Sequence, residues 1–382
     1  MASIAGKKSG LTWAVQLSVA ALVLLWLFPT VGLFVSSFRS ADQISSSGWW
    51  AALFPSEQSE VYRTADPDDT RVPDGDGFVV TGNIFEDAPR DILSWGVSSR
   101  DIAAFRPGET ADMKDGEQLT LQPDGSYEWR GSADQLKGRG QRIFVTATVP
   151  PEFSLSNYET ILFSGSGQDN MAKAFFNTLT VTIPATIIPI VIAAFAAYAL
   201  AWMEFPGRAL LIAAVVALLV VPLQLALIPL LRLHLEIGIG KGYLGVWLAH
   251  TAFGMPLAVY LLRNYMVGLP RDIIENAKVD GATDFQIFTR IILPLSFPAL
   301  ASFAIFQFLW TWNDLLVAKV FLIDSTGSTT VMTNQIVELL GTRGGNWEIL
   351  ATAAFVSIAV PLLVFFSLQR FLVRGLLAGS VK

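Results

Sequence analysis

The sequence contains no cysteine, which excludes disulfides, thiolate metal sites and a cysteine nucleophile and leaves the redox compartment undetermined. Its two histidines are His234 and His250, and with no cysteine beside them a zinc site is not expected either. Charge is scarce as well. Only 15% of the 382 residues are charged, against roughly a quarter in a soluble globular domain. Internal repeats and low-complexity tracts are missing, which argues against a solenoid. A phosphate loop is missing too. Gly238, Gly240, Lys241 and Gly242 come nearest, but they lack the Gly-x-x-x-x-Gly-Lys-Ser/Thr spacing.

What is present is apolar. Hydrophobic residues make up 52% of the chain. A bilayer core of about 30 Å needs roughly 20 apolar residues in helical form. Six apolar runs meet that length, approximately Leu11–Val35, Phe175–Met203, Ala209–Leu231, Tyr243–Leu262, Leu295–Phe321 and Ile349–Leu368, all uncharged except for Asp314 and Lys319 near the end of the fifth. Prolines 29, 184, 189, 222, 229, 256, 298 and 361 fall within them and read as kinks rather than breaks, because neighbouring helices can satisfy the carbonyls that proline frees. Lys7 and Lys8 precede the first run, as in a signal peptide. At 25 residues it exceeds a secretory apolar core of about 7–15, so an uncleaved anchor is expected.

Short loops orient the spans through their Lys and Arg residues. A cytoplasmic N-terminus puts Lys7, Lys8, Arg208, Arg263, Arg271, Lys278, Arg290, Arg370, Arg374 and Lys382 inside, and leaves Arg232, Lys241 and Arg343 in the short outer loops. Both termini are then cytoplasmic. The long stretch 37–173 falls outside with 22 acidic and 12 basic residues, and long translocated segments are largely exempt from the charge rule. Within it Gly77–Phe85, Gln118–Gln122, Tyr127–Arg130 and Arg142–Val149 read as short strands, with a turn at Pro123-Asp124-Gly125.

Between the fourth and fifth runs lies Leu269–Pro294, LPRDIIENAKVDGATDFQIFTRIILP. Asp272 is placed to cap a helix starting at Ile273, with Glu275 reaching back. Thr283 with Gln286 makes a second capping box. Two short helices meeting near Gly281 are implied, with Pro294 closing the segment. Ile274, Ala277, Ala282, Phe285, Phe288 and Ile292 recur at three- and four-residue steps. That apolar face suits docking against a partner, and from periodicity alone it suits a helix lying on lipid headgroups equally well.

The residues themselves add to this. Glu275-Asn276-Ala277-x-x-Asp280-Gly281-Ala282, followed by Phe285, Phe288 and Leu293-Pro294, closely resembles the EAA loop of ABC importer permeases, with Asn276 where that family most often has alanine. Ser36–Arg39, Phe153–Tyr158, Asn177–Leu179, Trp312–Asp314 and Gly375–Lys382 are similar to the maltose-permease second-subunit class, and the long acidic insert preceded by Ile44–Trp50 resembles the α-glucoside branch. The resemblance implies an all-α integral membrane protein, a type I ABC importer permease with six transmembrane helices and a β-rich extracytoplasmic insert between helices 1 and 2. It implies three regions: the N-terminus and first helix at 1–36, the insert at 37–173, and the permease core at 174–382 with its coupling loop at 269–294.

It further implies a bacterial inner-membrane sugar importer in which this chain is no enzyme and binds no cofactor. ATP and Mg would sit at a partner ATPase homodimer. A homologous second permease and an extracytoplasmic sugar-binding protein would complete the assembly, with no nucleic acid. Glu275, Ala277, Asp280, Gly281, Ala282, Phe285, Phe288 and Pro294 would couple to the ATPase, and the tail residues Gly379, Ser380, Val381 and Lys382 would touch it. Trp310, Trp312, Asn313 and Asp314 offer aromatic and polar groups to a sugar pathway, or form an interfacial belt at a helix end. His250 and Gln224 inside membrane runs are expected to bond neighbouring helices. Carboxylate pairs such as Asp68/Asp69 and Glu86/Asp87 read as solvated loop residues rather than a glycosidase centre. An ion-coupled secondary transporter is the main rival, but acids at the midplane and paired repeats are not evident. A ligand sensor would not need six spans.

Overall fold

The computed structural model describes residues 10–85, 90–113, 116–163, 171–323, 326–342 and 344–377, with side chains through residue 371. The chain divides into two compact units, Met1–Asn157 and Tyr158–Lys382.

The first unit begins with α1 (Gly10–Ser36) and α2 (Ala41–Ser46), then carries eight strands, β1 (Ser56–Arg63), β2 (Val72–Asp74), β3 (Gly77–Asn83), β4 (Asp91–Gly96), β5 (Thr110–Asp112), β6 (Gln118–Leu121), β7 (Ser126–Gly131) and β8 (Arg142–Val149), with one helical turn, α3 (Pro67–Thr70), among them. The strands form two antiparallel sheets, ordered β1-β8-β4 and β2-β3-β7-β6-β5. In β8 the alternation legible in Arg142–Val149 is realised: Ile143, Val145, Ala147 and Val149 are buried. Ile143, Val145 and Ala147 meet Val80, Leu119, Leu121, Tyr127 and Trp129 of the other sheet around fully buried Trp95. β1 was not anticipated. Only Gln58 in it is buried, and it exists because all eight of its residues pair with β8, from Ser56 opposite Val149 to Arg63 opposite Arg142.

That pairing puts the start and finish of the insert side by side, and a clasp closes it. The Asn157 amide donates to the carbonyls of Ser37 (3.0 Å) and Arg39 (2.9 Å), the Ser154 amide to Phe38 (2.9 Å), and the Gln43 side chain to Glu152 (3.1 Å). The Asn157 bonds fall on carbonyls just past the end of α1, where a helix leaves acceptors without intrahelical partners. An insertion with adjacent ends is tolerated by the chain that carries it.

The second unit is helical: α4 (Ser156–Leu162), shared with the boundary, then α5 (Met171–Trp202), α6 (Arg208–Leu218), α7 (Leu223–Glu236), α8 (Tyr243–Val267), α9 (Arg271–Val279), α10 (Asp284–Ile287), a π-helical turn at Phe288–Ile292, α11 (Leu293–Leu295), α12 (Phe297–Trp312), α13 (Leu316–Phe321), α14 (Met332–Thr342) and α15 (Trp347–Leu377). Among the described residues of the whole chain, four helices are long and apolar enough to cross a membrane, α1, α5, α8 and α15. The count rises to as many as six if two bent pairs are each one span, α6 with α7 (110°) and Asp284–Leu295 with α12 (69°).

The prolines therefore do two different things. At Pro222 the run expected to be kinked is broken. Leu219, Val220 and Val221 turn through bonds to carbonyls three residues back (3.2, 3.2 and 3.3 Å), and Pro222 begins a new helix. Gln224, expected to face a neighbour, is exposed just beyond this break. The Leu295–Phe321 run is likewise interrupted after Trp312. Pro184, Pro189 and Pro361 instead lie within continuous helices, and in each case the carbonyl four residues back takes a donor from another helix. Trp247 Nε1 donates to Thr180 (2.9 Å), Gln307 Nε2 to Ala185 (3.1 Å) and Trp312 Nε1 to Ser357 (2.9 Å). An unsatisfied carbonyl away from water costs several kcal/mol, so these three donors let the helices continue.

Candidate coupling site

The segment after α8 folds as two short helices joined at a glycine. α9 starts at Arg271 with Pro270 at its N-cap position, two residues earlier than the capping pattern at Asp272 suggests. Asp272 thus lies in the first turn and makes no cap. Its charge there still suits the helix dipole. Glu275 is exposed and pairs with Arg271 at 3.7 Å rather than reaching back to a cap. The helix ends at Asp280. The Gly281 amide then donates to the Lys278 carbonyl and the Ala282 amide to Ala277, both at 3.0 Å. This pair of bonds requires a left-handed residue between them, and Gly281 sits at φ 79° with open space where a Cβ would stand. The second capping box forms as read. The Thr283 hydroxyl accepts from the Gln286 amide (3.3 Å), and the Gln286 side chain accepts from the Thr283 amide (2.9 Å).

The apolar face is the main departure from expectation. Ile274, Phe288 and Ile292 are buried, with Ile287, in a cluster containing Ala193, Ala197 and Ala201 of α5, Ala258, Leu262 and Met266 of α8, and Ala299 and Phe303 of α12. Ala277 and Ala282 pack on its edge. Phe288 stands against Phe195 (4.6 Å between ring centres) and Tyr198 (5.3 Å). The segment therefore spends its apolar face on its own bundle, the nearest apolar surface, at roughly 1.5–3 kcal/mol for each large side chain removed from water. What it presents outward is smaller. Val279 is 86% exposed and Phe285 65%, beside exposed Glu275, Asp280 and Gly281. Arg271, Glu275, Lys278 and Asp284 line, with Glu204 and Trp202, a cleft of about 380 Å³, and Asp284 also accepts from the Tyr198 hydroxyl (3.3 Å). Pro294 does not close the segment. Helix continues through it, and the bend comes at Ser296, whose amide donates to Ile292 (2.8 Å).

The other grouped residues separate. Trp312 is 1% exposed, stacked on Phe308 and edge-on to Phe175, and its indole is used on the Ser357 carbonyl. Trp310 remains 39% exposed, and Asn313 donates to Leu309 (2.8 Å) at the helix end. Asp314 accepts from the Ala318 amide (3.1 Å) in the first turns of α13, and its carboxylate lies 3.8 Å from the ring of buried His250. His250 bonds no neighbouring helix through its ring among the described residues. Gln307 and Trp247 were not singled out in the sequence, although each proline inside a run announces one carbonyl in need of a donor. Gly379, Ser380, Val381 and Lys382 lie outside the described residues.

A lipid-length helix bundle with a short two-helix segment welded to its end, and no nucleotide-binding motif, is the build of a transporter's membrane component. The chain belongs to the family described as binding-protein-dependent transport system inner membrane components, whose pattern matches residues 169–377. Among its relatives, an alpha-glucoside transport system permease protein, AglG, of Rhizobium meliloti (strain 1021) is 59% identical over 98% of each chain, so that match runs through the β-sheet region as well. An osmoprotective compounds uptake permease protein, GgtD, of Synechocystis sp. is 58% identical over 66% of this chain and 83% of its own length. A trehalose transport system permease protein, SugB, of Mycobacterium tuberculosis is 34% identical over 61% of this chain and 84% of its own. A crystallised bacterial ABC transporter involved in the import of the acidic polysaccharide alginate has a chain that is similar at a TM-score of 0.46 and 20% identity, covering 58% of this chain and 81% of that one.

Proposed function

We propose that this chain is the permease subunit of an ATP-driven importer of α-glucosides or related oligosaccharides, in which an extracytoplasmic binding protein delivers sugar to a pathway shared with a second, homologous permease. The near full-length similarity to an alpha-glucoside permease carries the substrate reading. ATP and Mg²⁺ act at a separate ATPase pair, and this chain catalyses nothing. Both termini are cytoplasmic, which places the segment from Arg271 to Leu295 and the tail residues 379–382 on the ATPase side.

Coupling rests on the asymmetry of the short helices. Val279, Gly281 and Phe285, with Glu275 and Asp280, form the outward contact. Ile274, Ile287, Phe288 and Ile292 tie that contact to α5, α8 and α12. Closure of the ATPase then displaces the ends of three membrane helices together and switches the pathway between outward and inward access. Trp310, exposed where Trp312 is not, is the remaining aromatic candidate for a sugar contact.

The test is sugar-stimulated ATP hydrolysis and uptake in proteoliposomes holding all subunits, comparing wild type with Glu275→Lys, Gly281→Asp and Phe285→Ala. Assembled transporters that lose both stimulated hydrolysis and uptake support the reading. Uptake that persists unchanged, or that runs on an ion gradient without the ATPase, overturns it in favour of a secondary transporter.

A further inference from the structure

Beyond α1 the chain doubles back along the helix it has just left. Buried Arg39 organises the return, its guanidinium donating to the Ser47 carbonyl (3.0 Å) and Ser47 hydroxyl (2.6 Å). Trp49–Ala51 then form a tight helical turn, and the Trp49 ring lies edge-on to Phe28 at 4.6 Å. It also covers Gly32, where an added Cβ would stand 2.7 Å from the indole nitrogen. Gly32 is the one buried residue of α1. Phe28 precedes the end of the helix at Ser36 by eight residues, about 12 Å of rise. The Trp49 ring therefore lies beside the stretch from Phe28 to Gly32, about 6–12 Å back along an apolar span from its end.

Around it the surface is apolar and unpaired. Trp50 is 67% exposed, Leu53 75% and Phe54 67%. Gly48–Pro55 holds no charge, the flanking ones being Asp42 and Glu57. The patch is continuous with exposed Phe28 and Val31 of α1, a span that is only 6% buried by the rest of the protein. We propose that Trp49–Phe54 is an interfacial anchor that inserts into the bilayer leaflet nearest the β-sheet region. The depth of Phe28 selects lipid as the occupant. A segment packed on a residue one leaflet's fraction inside a span meets acyl chains and headgroups, and tryptophan with large aliphatic side chains is what that boundary favours. The β-sheet region is thereby held to the membrane by a second contact besides the end of α1.

The absence of cysteine makes the test direct. Single cysteines introduced as Leu53→Cys, Phe54→Cys, Leu24→Cys and Val72→Cys carry a nitroxide in the full-length chain, assembled with its transporter in phosphatidylethanolamine–phosphatidylglycerol vesicles. Relaxation by oxygen, which favours lipid, is compared with relaxation by a water-soluble nickel chelate. The expected result is an oxygen-to-nickel ratio at 53 and 54 several-fold above that at Val72, which is exposed on β2. Nickel access at 53 and 54 matching Val72 would overturn the anchor, as would protection from both reagents, which would mean a protein covers the patch. Leu24 reads α1 separately. Nickel preference there as well would fall on the span itself and take the anchor with it, whereas nickel preference at 53 and 54 alone removes only the anchor.

Discussion

The two units bury opposite kinds of side chain. The β-sheet region closes on large groups, Trp95, Trp129, Leu119, Leu121, Leu136 and Ile143, because in water the removal of apolar area is the driving force. The bundle closes on small ones, Ala193, Ala194, Ala197, Ala201, Ala258 and Ala299, with Leu262, Met266 and Phe303 among them. Lipid tails are as apolar as leucine, so burying area gains little there, and helices associate through close approach and hydrogen bonds. The three proline-freed carbonyls with donors from other helices are that second currency at work.

The largest test of this contrast is Trp95→Ala. A fully buried indole that also donates to the Arg106 carbonyl at 3.0 Å is lost, at a cost of about 3–5 kcal/mol. Limited proteolysis is expected to open residues 56–149 while the helical unit stays resistant. Simultaneous loss of the helices would show that the two units do not hold independently. Next comes the reverse substitution, Ala197→Leu in α5. Overpacking an alanine of zero exposure is expected to cost about 1–3 kcal/mol and lower the melting temperature in detergent. A stabilised protein would mean that apolar bulk drives the bundle after all.

A smaller and sharper effect is expected at Trp312→Phe, which keeps the ring stack on Phe308 and removes the bond to Ser357. The loss is about 0.6–1.7 kcal/mol. Combined with Pro361→Ala, which gives the Ser357 carbonyl its helical donor back, the loss should shrink in a double-mutant cycle. Additive losses would break the link between the two residues. The smallest effect lies in the β-sheet region. Burial, together with the hydrogen bond to the Glu60 carboxylate, pushes the Tyr62 phenol up to about 12 from 10.0. Because the folded value is the higher one, this contribution to stability is intact below pH 10 and is lost as pH rises towards 12. Glu60→Gln should bring the phenolate absorbance step down towards its ordinary pH, read as the difference between that variant with and without Tyr62→Phe.

How far the sequence reached differs between these regions for physical reasons. The alternation of β8 and the Thr283–Gln286 capping box are local signals, and both formed. β1 carries no alternation and owes its existence to a partner strand 79 residues further on, at the far end of their register. In the coupling segment the periodicity of Ile274, Phe288 and Ile292 was legible, but periodicity names a face without naming what covers it. The covering surface turned out to be the bundle's own helix ends, and what stays exposed on the segment is Val279, Gly281, Phe285 and their polar neighbours. Asp272 misled because aspartate is as favourable in a first turn as at a cap.

By itself, then, the sequence determined the solvent of each part of the chain, the glycine at the helix junction and the family. Apolar run length, charge density and a fixed motif are properties of neighbouring residues, and they need no fold to be read. Only the tertiary structure decided which prolines break a helix and which are carried through it, that Trp312 is buried while Trp310 stays exposed, and where Trp49 returns to Phe28. Each of those outcomes depends on a donor, a ring or a gap supplied from a distant part of the chain.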